Sequence, residues 1–356
     1  MTFVINNPSF LQSAGNAGSA GSANDYFYIT SRADNNVLGF DIGPIGGFSG
    51  NLVYSINSVE NWEQLTADKS IILGVQDTIY FKNNTGAIAD YTGDVLLRIS
   101  EEFDCGGDIM KLFYPGVSVV PSNCFKRLFK GLHIVSAKDL KLPAITLNEA
   151  CYASMFENCD SLTEAPELPA TTLAKGCYAS MFSNCSRLTK APELPAITLA
   201  EACYISMFSN CTSLITAPKL PATTLANSCY VGMFYGCSNL KEAPELPAIT
   251  LAEVCYNSMF SNCTSLIKAP ELPATTLAEG CYSNMFEGCT SLTEIKCLGN
   301  PNGGESYTSN WVVGVADSGE FTKSSESVWR SGDSGIPLSW TVIQSMLDSV
   351  GEVERS

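Results

Sequence analysis

Fifteen cysteines are the residues of this chain best suited to chemistry, and twelve of them fall into pairs eight apart, as Cys177 and Cys185 do in CYASMFSNC. Four converging thiolates or imidazoles would hold zinc, a low-pKa thiol pair would exchange disulfides, and an oxidised pair would staple the fold. Zinc sites favour closer ligand pairs, often with histidine, whereas here the spacing is eight and the chain has one histidine, His133. Cysteine is also among the most buried residue types and packs as a small hydrophobe. The reading is a ladder of buried, reduced thiols with no metal. Disulfides between neighbouring repeats are the alternative, and metal or redox chemistry comes after them.

A second candidate is the loop SGDSGIP, residues 331–337, which resembles the nucleophile loop of trypsin-like proteases and would make Ser334 the nucleophile. A nucleophilic serine needs a base within hydrogen-bond reach and a third group to orient that base. The sole histidine lies about two hundred residues away, without that family's flanking residues. DNNVLG (34–39) is a poor calcium loop, with Leu38 at a ligand position. No phosphate-binding G-x-x-x-x-G-K-[ST] loop or H-E-x-x-H helix occurs. The expectation is a protein that is not an enzyme and uses no cofactor.

The cysteines recur because the chain does. A strict 26-residue period starts at Leu142, Leu168, Leu194, Leu220, Leu246 and Leu272, each copy close to L-P-A-x-T-L-A-x-x-C-Y-x-x-M-F-x-x-C-x-x-L-x-x-A-P-E. Fixed periods between about 20 and 50 residues mark solenoids, whose units bury their apolar faces only by stacking. Residues 124–141 read as a decayed copy capping the N-terminal end, with Leu132 where the second cysteine belongs. Within a copy, Cys177, Tyr178, Met181, Phe182 and Cys185 form one apolar stripe, which predicts a short helix of about two turns. The column Asn158, Asn184, Asn210, Gly236, Asn262, Gly288 would end that helix in a left-handed residue. The two prolines that follow suit extended segments. The tyrosine column from Tyr152 to Tyr282 reads as core with each hydroxyl led to solvent or backbone, a sugar-stacking ladder being the sharper alternative. On the strand side Glu164, Lys190, Thr216, Glu242, Lys268 and Glu294 vary while their apolar neighbours do not. That column is the candidate binding face; solubility and edge protection would also call for charge there.

Net charge is −16, which argues against nucleic acid or an anionic membrane as the main partner. No apolar run approaches the roughly 20 residues of a membrane span. The N-terminus shows no basic and long apolar secretory pattern, so folding in a reducing cytoplasm is expected. Residues 1–25 pair a short peptide, with Phe3, Val4, Ile5 and Phe10 as candidate docking residues, with a Gly/Ala/Ser linker; a docking tether and a disordered tail both fit. Residues 26–117 show β-rich runs at 26–30, 52–56, 78–82 and 95–99, read as a small sandwich. Residues 118–298 form the repeat unit with its cap. Residues 299–356 carry Trp311, Trp329 and Trp340 and would seal the open end, with an amphipathic helix in the tail from 341.

The repeat LPATTLAxxCYxxMFxxCxxLTxAPE resembles the BspA-like leucine-rich repeats of surface proteins from gut Bacteroides-type bacteria and their phages, over residues 121–297. LVYSINSVENWEQL, DTIYFKNN and GGDIMKLFY resemble the small β-rich domain that precedes such repeats, and NWVVGVADSGEFTKSSESVW with SGIPLSWTV resembles the segment that closes them. The resemblance implies a fold that is mainly β with short helices: a leucine-rich-repeat solenoid of six repeats between an N-terminal sandwich-like domain and a C-terminal β cap. It implies a non-enzymatic recognition or adhesion protein without a membrane span. The first expectation is a phage virion fibre or decoration protein, head or tail, assembled in the host cytoplasm. It would contact other virion proteins through its N-terminal segment and a host surface protein or glycan through the repeats, with a homo-oligomer left open. The alternative is an adhesin on the bacterial cell surface.

Overall fold

The structure is a computed structural model that describes residues 25–41, 52–66, 69–83, 96–113, 120–302, 304 and 306–345. The proposed docking residues Phe3, Val4, Ile5 and Phe10 and the linker lie outside them. The protein is mainly β. In the N-terminal part, alternation of apolar and polar residues makes the strands: β1 (Phe27–Ser31) buries Phe27 and Ile29 and leaves Tyr28 and Thr30 half-buried. It is followed by β2 (Asn36–Asp41), β3 (Leu52–Ile56), β4 (Glu63–Gln64), β5 (Ile71–Leu73), β6 (Thr78–Asn83), β7 (Leu96–Ile99), β8 (Phe103–Asp108) and the short α1 (Ile109–Phe113). β2 pairs with β5 and β7 in a three-stranded sheet. β9 (Ile134–Lys141) joins a second sheet in the order β4-β3-β6-β1-β8-β9, parallel to β8. The four strand runs expected from sequence sit at β1, β3, β6 and β7, each within one residue. DNNVLG opens as the turn between β1 and β2, with Asn35 left-handed and the Asp34 carboxylate accepting the Val75 N–H. Gly107 is required where β8 passes β1: at φ +77 its Cβ would lie 1.7 Å from the Tyr26 carbonyl oxygen.

The 26-residue copies stack in register, but the predicted helix in each is not formed. In the second copy the N–H groups of Cys177, Ala179, Met181, Ser183 and Cys185 bond three residues back within the copy. Those of Gly176, Tyr178, Ser180, Phe182 and Asn184 bond instead to Glu201, Cys203, Ile205, Met207 and Ser209 of the next copy. An α-helix would keep every bond inside, four residues back. The segment is a string of tight turns, each closed by a left-handed residue: Gly176, Ser180 and Asn184 have φ of 59°, 53° and 62°. The Asn/Gly column therefore is left-handed as expected, but as the last of three such positions spaced by four. Strict four-residue spacing keeps one stripe facing inward, whereas an α-helix would rotate it by roughly 40° every four residues.

The cap reading of residues 124–141 matches the geometry. Asn123, Arg127 and Gly131 repeat the left-handed pattern, and Phe125 and Phe129 stack on Tyr152 and Phe156 at 5.7 and 5.3 Å. At the other end, residues 306–315 form a further string of turns that the residue types had concealed. The N–H groups of Tyr282, Asn284, Phe286 and Gly288 reach the carbonyls of Tyr307, Ser309, Trp311 and Val313, and Asn310 and Gly314 are left-handed. Trp311 is fully buried, 6.2 Å from Tyr282 and 5.2 Å from Trp329, so the expected aromatic seal is present. β10 (Glu294–Cys297), β11 (Glu320–Ser324) and β12 (Thr341–Ser345) close that end as a parallel sheet. Residues 341–345 are thus a strand, not the start of a helix, because their N–H and C=O groups find β11. None of the three sheets closes on itself, and one apolar core runs from Phe27 to Trp340.

Candidate functional site

The column named from sequence becomes a line of parallel bridges. Lys190 bridges Thr216, Thr216 bridges Glu242, Glu242 bridges Lys268 and Lys268 bridges Glu294, while Ser136 of β9 bridges Glu164. Glu164, Lys190, Thr216, Glu242 and Lys268 are exposed and Glu294 half-buried. Directly inward of them, Leu162, Leu188, Leu214, Leu240, Leu266 and Leu292 are fully buried. Each copy thus pins its strand by a leucine and leaves the next two side chains for solvent. The exposed pair includes Ile215 and Ile267, at 50% and 56% exposure. A second exposed column, Ile145, Ile197 and Ile249 alternating with Thr171, Thr223 and Thr275, runs beyond the proline corner.

At the N-terminal end this face deepens into a groove of about 630 Å³. Lys138, Glu164, Glu167, Lys190 and Glu193 rim it, and Pro166, Pro169, Pro192 and Pro195 form its apolar walls. The prolines stiffen both walls, since each fixes its own φ and restricts the residue before it. Glu164 accepts the Ser136 hydroxyl at 2.8 Å and lies 3.5 Å from Lys138. These contacts, the hydroxyl first, hold its carboxyl below the usual range. Lys190 has no ion-pair partner among the described residues, whereas at the far end Lys268 pairs with Glu294 at 2.5 Å and Lys296 with Glu271 at 2.7 Å. The groove therefore offers one uncommitted ammonium between Glu167 and Glu193, beside apolar proline walls. Of the sequence-named column, Glu164 and Lys190 meet there; Thr216, Glu242, Lys268 and Glu294 continue along the face. The Glu167 and Glu193 column and the prolines were the signals for the groove itself.

The other candidates fall elsewhere. All fifteen cysteines are free and buried. In the second column the thiols of Cys159, Cys185, Cys211, Cys237, Cys263 and Cys289 donate to carbonyls of Phe129, Phe156, Phe182, Phe208, Phe234 and Phe260, at 3.0–3.1 Å. Burial holds Cys151 and Cys211 protonated up to about 12, far from a nucleophilic thiolate. Among the described residues no group of three or more His, Cys, Asp or Glu is placed to hold a metal ion. The tyrosines are core, stacked ring on ring at 5.7–6.0 Å and at most 2% exposed, so no sugar can reach them. Tyr152 and Tyr204 correct one detail: their hydroxyls are buried without a partner instead of reaching solvent or backbone. His133 lies in the N-terminal cap, 3.7 Å from Asp160. Ser334 lies at the opposite end, where its hydroxyl oxygen accepts the Asn310 N–H at 3.0 Å and its carbonyl accepts Thr308 at 2.8 Å. SGDSGIP terminates the turn strings by taking up bonds that a next copy would supply.

Among the described residues no helix is long and apolar enough to cross a membrane. Comparison with protein-family models, with curated proteins and with solved structures finds no match to this chain.

Proposed function

We propose that the stacked copies are a leucine-rich-repeat solenoid of the BspA-like kind and that the protein is a non-enzymatic recognition component of a phage virion, a fibre or decoration protein. The observation that carries this reading is the exposed strand column, whose charges differ from copy to copy over a leucine ladder that does not change. Solenoids bind through such extended faces, since neighbouring units present side chains at a fixed spacing of about 4.8 Å. The groove around Lys190 lies on that face, and its mixture of ammonium, carboxylates and proline walls suits a host surface protein or glycan with both polar and apolar groups. The thiol protons of the second cysteine column are engaged in hydrogen bonds to carbonyls of the preceding copy, which supports assembly in a reducing cytoplasm. The N-terminal segment would make the contact with other virion proteins.

The test is localisation of the native protein. An antibody against the repeats is applied to density-gradient fractions of a lysed host culture. Banding with intact phage is the expected result, and removing residues 1–25 should then abolish incorporation. Banding with bacterial outer membrane would overturn the virion reading in favour of a cell-surface adhesin.

A further inference from the structure

The last turn string and the SGDSGIP loop enclose a second cavity, of about 250 Å³, at the opposite end of the molecule from the groove. Its walls are Trp329, Asn310, Ser331, Asp333, Ser334 and Gly335. Much of the main chain of this site is committed to structure. The Asn310 N–H donates to Ser334 Oγ, the Val312 N–H to the Asp333 carbonyl at 3.2 Å, and Trp311 Nε1 to the Gly335 carbonyl at 2.7 Å. The loop itself is closed by Gly332 N–H to the Ile336 carbonyl and Gly335 N–H to the Gly332 carbonyl, both at 2.8 Å. Trp329 is held by Nε1 donating to the Gly299 carbonyl at 3.1 Å and by stacking on Trp311. Among the described residues, this frame leaves a set of side-chain groups without a partner: the Asn310 amide, the Ser331 hydroxyl, the Ser334 hydroxyl proton and the exposed Asp333 carboxylate.

We propose that this cavity is a carbohydrate subsite that takes one neutral hexopyranose ring. A carboxylate accepts two hydroxyl protons at once and an amide both donates and accepts, so Asp333 and Asn310 together suit a vicinal diol. Trp329, stacked on Trp311 and met edge-on by Phe321, lines one side of the cavity and offers a sugar C–H group a small apolar contact. The cavity lies below the range of about 300–1,000 Å³ for drug-sized ligands, which limits it to a single ring or the end of a glycan chain. The Asp333 carboxylate on the rim repels anions, so a neutral polyol is favoured. Because the backbone is already hydrogen-bonded and the tryptophan already stacked, little ordering is needed on binding. This site does not depend on the groove around Lys190 or on the virion reading.

The test uses the full chain and a panel of methyl hexopyranosides (gluco, manno and galacto, both anomers), followed by tryptophan fluorescence and by saturation-transfer NMR. At least one glycoside should bind saturably, with a dissociation constant on the order of 1 mM. Asp333→Asn, which keeps side-chain size, should weaken it at least tenfold. Asn310→Gly, which suits the left-handed backbone and removes the amide, should weaken it severalfold. Unchanged circular dichroism of both variants would separate site loss from misfolding. Absence of saturable binding by every glycoside, equal binding by both variants, or the same response to sulfate would each overturn the proposal.

Discussion

The buried thiols set how the protein responds to pH. An unfolded cysteine releases its proton near pH 8.5, whereas burial holds the protons of Cys151, Cys159, Cys177, Cys211, Cys281, Cys289 and Cys297 up to about 12. Below 8.5 both states are protonated and stability is complete. Between 8.5 and about 12 the unfolded chain releases protons that the folded chain keeps, so stability falls as pH rises, by about 1.4 kcal/mol per pH unit for each such thiol. By pH 10 these seven groups remove on the order of 10 kcal/mol, about the whole stability of an ordinary domain. With reductant present, the protein should unfold cooperatively between pH 9 and 11, about the middle of that window, and refold on return to neutral pH. Tryptophan fluorescence and circular dichroism read the transition; an unchanged signal through pH 11 would contradict the depth of burial assigned to the ladder.

At the scale of one element, the string of turns and the helix it resembles make opposite demands on Val254. This residue has φ of 58°, in the column where Gly176 and Gly280 stand in other copies. A β-branched side chain in left-handed backbone costs about 1–2 kcal/mol, so Val254→Gly should stabilise the protein by about 1 kcal/mol and raise its urea midpoint. In a helix the same change would destabilise, since glycine is the poorer helix former. A lowered midpoint would therefore restore the helical reading. The misreading has a physical source: apolar residues at i, i+1, i+4, i+5 and i+8 fit a 3.6-residue and a four-residue period equally well over nine positions. The decisive signal lay on the other face, where small, Asn or Gly residues recur at every fourth place, as Gly176, Ser180 and Asn184 do.

For the whole molecule, β9 is the joint. It belongs to the 26-residue pattern by sequence yet pairs along its length with β8, whose Phe103 and Cys105 are buried. A chain cut between residues 117 and 118 would strip β9 of that partner and open an edge. Residues 118–356 alone should therefore unfold at lower denaturant than the full chain and self-associate, read by urea titration and light scattering. An unchanged midpoint and a monomeric fragment would make the two parts independent units.

The sequence alone determined the period, the leucine and cysteine columns, the β1, β3, β6 and β7 runs and the exposed charged column, because periodicity in apolar residues reports which side chains face a core. It could not say which of two neighbouring N–H groups closes a turn and which reaches the next copy. That choice is made by carbonyls 25 residues away, as between Tyr178 and Cys203. Nor did it reveal the string at 306–315, where Tyr307, Trp311 and Val312 replace Cys, Met and Phe and only the left-handed Asn310 and Gly314 persist. The tertiary structure decided these points, together with the groove at Lys190 and the cavity at Asp333. Both are built from residues of successive copies or separate loops, and their spacing exists only once the backbone bonds of the stack are made.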